Sequence, residues 1–189
     1  VSAKIRLYVS FAETGAGHGT DRALLAGLLG MAADDLAIPD SFVLAKKQGL
    51  QFTIDTLLPG QLEDAHPNTV LLDLQAAGGR KLKIQASSVG GGRICINRID
   101  GIEANVTGDY PTLIVHNLDQ PGHVAEVTSM LAHKSVNIAA LRLYRNKKGG
   151  YAVMVIETDQ HIPAEAIQWL HRVEGVIKVT YLDLQEQEA

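Results

Sequence analysis

Two short segments in the first half of the chain combine side chains that could bind a small anionic molecule. The first, His66-Pro67-Asn68, holds an imidazole and an amide beside a proline that fixes the backbone. The second places serines before a run of glycines, whose bare backbone would let a ligand approach closely. An imidazole and an amide can hold a carboxylate, and a hydroxyl can orient an amine. We therefore predict one pocket formed by His66, Asn68, Ser88, Gly90, Gly91 and Gly92.

Both segments also have a purely structural explanation, which the sequence leaves open. The loop around His66 could be a turn whose imidazole is solvated. Ser87, Ser88 and the glycines could instead form a β-bulge or a corner of a sheet, where glycine is common. Ordering three glycines costs backbone entropy, however. That cost favours the interpretation that these positions specifically require glycine.

A third glycine-rich stretch, from Gly15 to Asp21, precedes an apolar helical pattern. We expect a turn between a strand and a helix, with Thr20 or Asp21 as the N-cap and Gly30 at the end of the helix. The free N–H groups of such a turn could bind an anion beside His18, Thr20 and Asp21. The glycines could equally serve only a tight connection. The spacing is not that of a P-loop, because no Gly-Lys-Ser/Thr follows.

Composition excludes several classes of protein. The formal net charge is −4 and the basic residues are dispersed, which argues against a nucleic-acid-binding protein. The single cysteine, Cys95, excludes a disulfide framework and favours a reducing, cytoplasmic compartment. Its place between two isoleucines predicts a small core side chain. Neither a Cys-x-x-Cys nor a His-Glu-x-x-His motif is present, so we predict no metal site in this chain. No apolar run is long enough to span a membrane.

Many short β segments must position these residues in the first half. Alternating apolar residues predict a half-buried strand from Lys4 to Ser10. We expect further strands at 51–58, 70–76, 82–86 and 94–99, a helix from 22 to 30, and a short helix that starts near Pro39. Glycine turns join most of these elements. A mixed α/β domain with a meandering sheet is therefore predicted for residues 1–108.

The second half has a different order of elements. Residues 108–111 break the pattern and are the expected linker to a second domain at 110–185. Strands are expected at 112–118, 139–145, 151–158 and 176–184, with helices after Gly122 and Pro163 and a polar tail from 185 to 189. This βαββαβ order predicts a ferredoxin-like domain and hence an α+β chain. Such a unit can sense a metabolite but carries no chemistry of its own.

This half resembles the ACT domain, a regulatory module of amino-acid metabolism. The resemblance rests on Asp119, Pro121 and Gly122, on the helix that follows them, and on Asn137-Ile138. It implies an amino acid bound where the first strand meets the first helix, often across a dimer interface, by Asp119, Gly122 and Asn137. Helix N-terminal N–H groups could accept its carboxylate. A pure dimerisation module is the alternative, and the exposed sheet edges predict a homodimer in either case.

The first half extends the resemblance to a second family. Gly17-His-Gly-Thr-Asp-Arg22, His66-Pro-Asn-Thr69 and Ser88-Val-Gly-Gly-Gly92, in this order before an ACT domain, are similar to the β chain of the iron–sulfur-dependent bacterial L-serine dehydratase. The resemblance implies a lyase subunit that helps convert L-serine to pyruvate and ammonia, with a [4Fe–4S] cluster as the Lewis acid for the departing hydroxyl. It also implies an α chain as partner, which supplies the cluster's cysteine ligands. One cysteine in this chain agrees, because a cluster needs several thiolates.

A second class of function stays open beside the lyase subunit. The family's β chain carries a Ser-Ser-Ser-His-Thr segment near its start that is absent here, so we expect that the natural N-terminus is missing. The first half also resembles the allosteric substrate-binding domain of some D-3-phosphoglycerate dehydrogenases, which an ACT domain likewise follows. The alternative is therefore a non-catalytic module that senses an amino acid. A dehydrogenase would carry a Gly-x-Gly-x-x-Gly nucleotide domain before it.

Overall fold

The computed structural model describes residues 1–183 and divides them into two compact units. The first unit is Val1–Gly101 and the second begins at Ile102. The strands form a six-stranded mixed sheet and a four-stranded antiparallel sheet. The predicted α+β class is confirmed. Residue 184 of the last predicted strand and the predicted tail at 185–189 lie outside the described residues. Within residues 1–183, every helix is too short or too polar to cross a membrane.

The six-stranded sheet has the order β2-β1-β3-β4-β5-β6. Strand β1 pairs in parallel with β2 and antiparallel with β3. In chain order the elements are β1 (Ser2–Tyr8), α1 (Ser10–His18), α2 (Thr20–Leu28), a 3-10 turn (Ile38–Asp40), α3 (Ser41–Lys47), β2 (Gln51–Leu57), β3 (Thr69–Gln75), β4 (Lys81–Gly90), β5 (Arg93–Ile99) and β6 (Ile102–Val106).

Alternation along β1 separates an apolar face from a charged one. Ile5 and Leu7 are buried in a core that they share with residues of α2, α3 and β3. Lys4 and Arg6 lie on the opposite face, where their ion pairs bridge to neighbouring strands. This period-two pattern fixes the register of β1, because a slip by one residue would bury the charges.

The glycine-rich stretch is more helical than predicted. Gly15 and Gly17 lie inside α1, and the predicted turn is reduced to Gly19, which has φ +71°. Gly19 is also the N-cap of α2, so neither Thr20 nor Asp21 caps that helix. A Cβ at Gly15 would approach Leu7 Cδ1 to 3.2 Å, so this glycine lets α1 pack closely on β1. Tertiary packing therefore overrides the low helix propensity of glycine here.

Two further predictions in the first half were wrong in detail. Strand β4 continues through Ser87 and Ser88 to Gly90, and the short strand β6 was not predicted. Cys95 is half-buried in β5 and is not a core side chain, because its Sγ lies 3.6 Å from the amide Nδ2 of Asn97 on the polar side of the sheet. Polar residues at alternate positions of β4 and β5 weaken the apolar signal from which strands are predicted.

The second unit has the predicted βαββαβ order after β6. Its elements are β7 (Thr112–Leu118), α4 (His123–His133), β8 (Ile138–Arg145), β9 (Tyr151–Thr158), α5 (Ala164–Leu170) and β10 (Val176–Leu182). The sheet order is β10-β7-β9-β8, so β7 and β9 are central. Both are buried over most of their length, which explains their continuous apolar sequences.

Candidate functional site

Three connections of the first unit meet at one end of the six-stranded sheet. They are the β1–α1 junction, the loop 66–68 before β3, and the turn between β4 and β5. The backbone N–H of Ser10 donates to Pro67 O at 3.1 Å, and that of Ser88 donates to Asn68 O at 3.0 Å. The structure thus places loop 66–68 beside the serine segment, as a shared pocket would require.

The β1–α1 junction is a feature that the sequence analysis missed. Val9 has φ +39° and ψ −101°, and α1 begins at the next residue. A β-branched residue rarely adopts positive φ, and strained residues of this kind cluster at binding and switch regions. No local sequence signal could have found it, because valine ordinarily favours an extended strand.

The imidazole of His66 is oriented by its own loop. Asn68 N–H donates to His66 Nδ1 at 3.1 Å, so Nδ1 is an acceptor and the neutral ring carries its proton on Nε2. His66 is exposed, while Asn68 is half-buried. The arrangement leaves an Nε2–H group that can donate to a carboxylate.

Behind this loop runs a line of polar side chains across three strands. Thr69 Oγ1 lies 2.6 Å from His66 O and 2.8 Å from Ser87 Oγ. Ser87 Oγ lies 2.7 Å from Asn97 Oδ1, and Asn97 Nδ2 lies 3.6 Å from Cys95 Sγ. Burial raises the pKa of the Cys95 thiol. No individual role was predicted for Thr69 or Asn97 from the sequence.

The glycine run adopts backbone conformations that favour glycine. Gly90, Gly91 and Gly92 have φ values of +91°, +62° and +76°. Gly91 and Gly92 connect β4 to β5, and two positive φ values in a two-residue hairpin match the twist of its strands. A Cβ at any of the three would meet open space, so the backbone is uncovered on that side. The turn accounts for these glycines, and a role for them in ligand contact stays a prediction.

His18, Thr20 and Asp21 do not join this cluster. They lie around the C-terminal end of α1, whereas the N-terminal end of α1 contacts loop 66–68. A helix of this length separates its ends by about 12 Å. Asp21 Oδ1 accepts from the N–H of the adjacent Arg22 at 2.8 Å. An anion at these residues would therefore occupy a separate site.

In the second unit, Asp119 holds the hairpin between β8 and β9. Its Oδ2 accepts from Gly149 N–H at 2.8 Å and lies 3.2 Å from Arg145 Nη1. Gly122 follows at φ +103° and is the N-cap of α4. The Asp-x-Pro-Gly turn therefore joins the end of β7, the start of α4 and the hairpin.

We expect Asp119 to make its full contribution to stability only while it is ionised. The Gly149 N–H and, to a lesser extent, Arg145 hold the pKa of Asp119 below its usual value. A lowered folded pKa means that the contribution is complete above the unfolded pKa of about 3.9 and is lost as the pH falls through the folded value. Asp119→Asn should therefore lose less stability on acidification than the parent, measured by urea unfolding on both sides of that pH. Asp109→Asn, at an exposed aspartate, is the control, and an unchanged acid dependence in Asp119→Asn would contradict the prediction.

Two buried polar side chains beside the Asp119 turn were also missed. Asn117 is 2% exposed and His123 is 6% exposed. Asn117 Oδ1 and His123 Nε2 have no hydrogen-bond partner among the described residues, while His123 Nδ1 lies 3.5 Å from Glu126 Oε2. Asn117 pairs in register with Val176, and the His123 ring packs on Gly175. Buried polar atoms are nearly always satisfied, so Asn117 Oδ1 and His123 Nε2 are candidates to bind a polar group of a ligand or a water molecule.

Asn137 lies at the opposite end of the same sheet. Its Nδ2 donates to Asp159 Oδ2 at 2.6 Å, and it precedes β8, whose first residue pairs with Thr158 at the end of β9. Asp119 instead follows the last residue of β7, which pairs with Tyr151 at the start of β9. A strand of this length separates the two ends by roughly 20 Å. One copy of the chain therefore cannot bring Asp119 and Asn137 to one small ligand.

Comparison with known proteins covers nearly the whole chain. Residues 1–98 match the family described as serine dehydratase beta chain, and residues 111–175 match the ACT domain. The chain is 33% identical over 178 residues to the probable L-serine dehydratase beta chain of Bacillus subtilis, which covers 93% of this chain and 78% of that protein. It is also 33% identical over 181 residues to the L-serine dehydratase beta chain of Peptoniphilus asaccharolyticus, which covers 96% of this chain and 81% of that protein.

A more distant similarity extends to a different enzyme. The D-3-phosphoglycerate dehydrogenase of Methanocaldococcus jannaschii is 22% identical over 164 residues, which cover 86% of this chain but only 30% of that protein. The match therefore concerns one part of a larger protein, as the predicted resemblance to a dehydrogenase module implied.

Proposed function

Because the chain belongs to the family of serine dehydratase beta chains, we propose that it is the β subunit of an L-serine ammonia-lyase with an ACT regulatory domain. The complete enzyme would convert L-serine to pyruvate and ammonia. The observation that carries the proposal is the meeting of loop 66–68 with the Ser88 segment, inside the region matched to that family. We further propose domains at 1–108 and 110–185, and the family matches at 1–98 and 111–175 support a division between these two parts. A cytoplasmic location, which the single cysteine favours, belongs to the same proposal.

In this proposal the chain binds and orients serine. The Nε2–H of His66 and the side-chain amide of Asn68 hold the substrate carboxylate, because both are donors in one short loop. The hydroxyl of Ser88 orients the amine, and the uncovered backbone at Gly90–Gly92 lets the substrate close in. Fixing the substrate in this way helps the reaction by holding the α-proton and the β-hydroxyl in one geometry.

The residues of this chain do not fit a [4Fe–4S] ligand set. Such a cluster is held by several cysteine thiolates, and this chain has only Cys95, whose pKa burial raises away from the thiolate form. Among residues 1–183, no group of three or more His, Cys, Asp or Glu side chains could hold a metal ion. We propose that the cluster of the complete enzyme is ligated by an α chain.

The ACT domain is proposed to bind a small amino acid between two copies of the chain. Strand β8 is a sheet edge, and it exposes Leu141 and Leu143 beside Ile156 and Met154 of the core. Antiparallel pairing of two copies of β8 would bring the start of one strand beside the end of the other.

This pairing would complete the divided site. Asn137 precedes β8, and Arg145 at the end of β8 contacts Asp119. Asn137 of one copy would therefore approach Asp119 and the N-terminus of α4 of the other. The unsatisfied Asn117 Oδ1 supports a polar ligand at that position.

The isolated chain is expected to bind no cluster and to release no pyruvate from L-serine. The physical reason is its single thiol. Anaerobic reconstitution with iron and sulfide, followed by metal and sulfide analysis, measures the first expectation. Co-assembly with the α chain should produce serine-dependent pyruvate release, which tests the proposed function.

Two results would contradict these proposals. A stoichiometric cluster in the isolated chain would overturn the assignment of its ligands to the α chain. An intact α–β complex that lacks activity on serine, together with amino-acid binding by this chain, would favour the non-catalytic sensing module.

A further inference from the structure

The line of polar side chains behind loop 66–68 contains three short oxygen–oxygen contacts but only two hydroxyl protons. Thr69 Oγ1 lies 2.6 Å from His66 O and 2.8 Å from Ser87 Oγ, while Ser87 Oγ lies 2.7 Å from Asn97 Oδ1. Carbonyl oxygens only accept, so the two hydroxyls must supply a proton to each of three contacts. One contact would then join two oxygens without a proton. Thr69 and Ser87 are 0% and 4% exposed, so solvent does not relieve that repulsion.

Rotating the Asn97 amide by half a turn removes the shortage. The oxygen and nitrogen of an amide have nearly the same shape, and their assignment follows from the hydrogen-bond network. With Nδ2 toward Ser87, the amide supplies the missing proton and Oδ1 faces Cys95 Sγ at the other position. Every contact then has one donor: Cys95 S–H to Asn97 Oδ1, Asn97 Nδ2–H to Ser87 Oγ, Ser87 O–H to Thr69 Oγ1, and Thr69 O–H to His66 O.

We propose that Asn97 is a positioning residue, whose amide donates to Ser87 and so fixes loop 66–68 through a one-way chain of hydrogen bonds. This chain of hydrogen bonds crosses three strands at directly paired positions, since Cys95 pairs with Ser87 and Ser87 pairs with Thr69. It ends on the carbonyl of His66, whose ring faces the substrate in the proposed function, on which this inference rests. Burial keeps the Cys95 thiol protonated and hence able to donate.

The orientation of the amide can be measured in the 189-residue chain alone. In the isotope-labelled protein, the Asn97 Nδ2 protons should give strong nuclear Overhauser effects to the β-protons of Ser87 and weak ones to those of Cys95. The reverse pattern would overturn the proposal, because the amide would then present its oxygen to Ser87. This measurement needs neither the α chain nor activity.

A pair of substitutions tests whether the chain of hydrogen bonds positions the loop. Asn97→Asp offers only acceptors when ionised and restores the proton shortage, whereas a protonated aspartic acid can donate to Ser87. Compared with the parent protein at the same pH, the amide resonances of Asn68 and Thr69 should therefore be shifted in Asn97→Asp at neutral pH. This difference should disappear as the pH is lowered through the pKa of the new carboxyl. Asn97→Ala should stay shifted at every pH, and Asn105→Asp, at an exposed asparagine of β6, should leave them unchanged.

Kinetics of the complete enzyme provide the second readout. Both Asn97 variants should lower kcat/KM for serine by about tenfold at neutral pH, the effect of one lost internal hydrogen bond. Parental kinetics in Asn97→Asp at neutral pH would overturn the proposal, because Ser87 would then be the donor to residue 97. If the parental complex itself fails to act on serine, the proposed function fails, while the orientation of Asn97 is still decided by the isolated chain.

Discussion

Replacing Leu141 and Leu143 together by lysine is expected to convert the proposed dimer of this chain into monomers. The two leucines are 36% and 45% exposed on the edge strand β8, and antiparallel pairing of β8 would bury them in both copies. Burying a whole leucine contributes about 1.5–3 kcal/mol, so the exposed parts of four leucines amount to roughly 2.5–5 kcal/mol. The dissociation constant should therefore rise by about a hundredfold to a few thousandfold. Repulsion between lysines near the twofold axis adds to this effect.

Sedimentation velocity over a range of protein concentrations measures this change directly. The matched control is Leu36→Lys with Leu58→Lys, because these leucines are 96% and 67% exposed in the other unit. The control should keep the parental dimer and rule out a general effect of added charge. A dimer that survives the β8 substitutions would place the interface elsewhere, for example at the other sheet edge β10, where Ile177 is 54% exposed. Parental circular dichroism in both variants would show that the fold is intact.

The central strands of the second unit were predictable because each is a continuous apolar run that turn residues bound at its ends. The predicted bounds 112–118 and 151–158 match β7 and β9. Both strands are buried on two faces, so their apolar runs are continuous and end at polar turns. The start of α4 was predictable from the Asp-x-Pro-Gly turn. Gly122, the N-cap of α4, has a positive φ that glycine adopts readily, so the residue type itself marks this position.

Features that depend on long-range packing were not predictable. Glycine normally disfavours a helix, and the close contact between Gly15 and Leu7 gives a reason for Gly15 in α1 that only the tertiary structure shows. The turn predicted from these glycines followed local propensity alone. The strained Val9 likewise lies where a strand was expected to continue, and α1 begins at the next residue instead.

The candidate sites illustrate the same division between local and long-range information. Residue types in His66-Pro67-Asn68 pointed to a ligand, but their proximity to Ser88 follows from the β3–β4 register, which pairs Thr69 with Ser87. For the second unit, the resemblance to the ACT domain implied that Asp119 and Asn137 share a site. The sheet topology places them at opposite ends, and only a second copy could bring them together.

Replacing His66 by alanine in the complete α–β enzyme is expected to lower kcat/KM for serine by about ten- to a hundredfold. The loss corresponds to one charge-assisted hydrogen bond, worth about 1.5–3 kcal/mol, between Nε2–H and the substrate carboxylate. His66 is exposed, so its removal should leave the free energy of unfolding nearly unchanged. His171→Ala, at an exposed histidine of the other unit, is the control for loss of an imidazole. Steady-state pyruvate release measures all three enzymes.

Two further substitutions separate a substrate contact from a role in the loop alone. Asparagine places an oxygen near the position of Nδ1, so His66→Asn can still accept the N–H of Asn68 but has no donor at the position of Nε2. Glutamine reaches further, so His66→Gln can place an amide N–H near the lost Nε2–H. If His66 binds the carboxylate, the glutamine variant should retain more activity than the asparagine variant, which should resemble alanine. If the asparagine variant is fully active instead, the hydrogen bond within loop 66–68 is the whole function of the ring. Parental kinetics in all three variants would mean that no serine pocket exists at this loop, because removal of its only imidazole would then cost nothing.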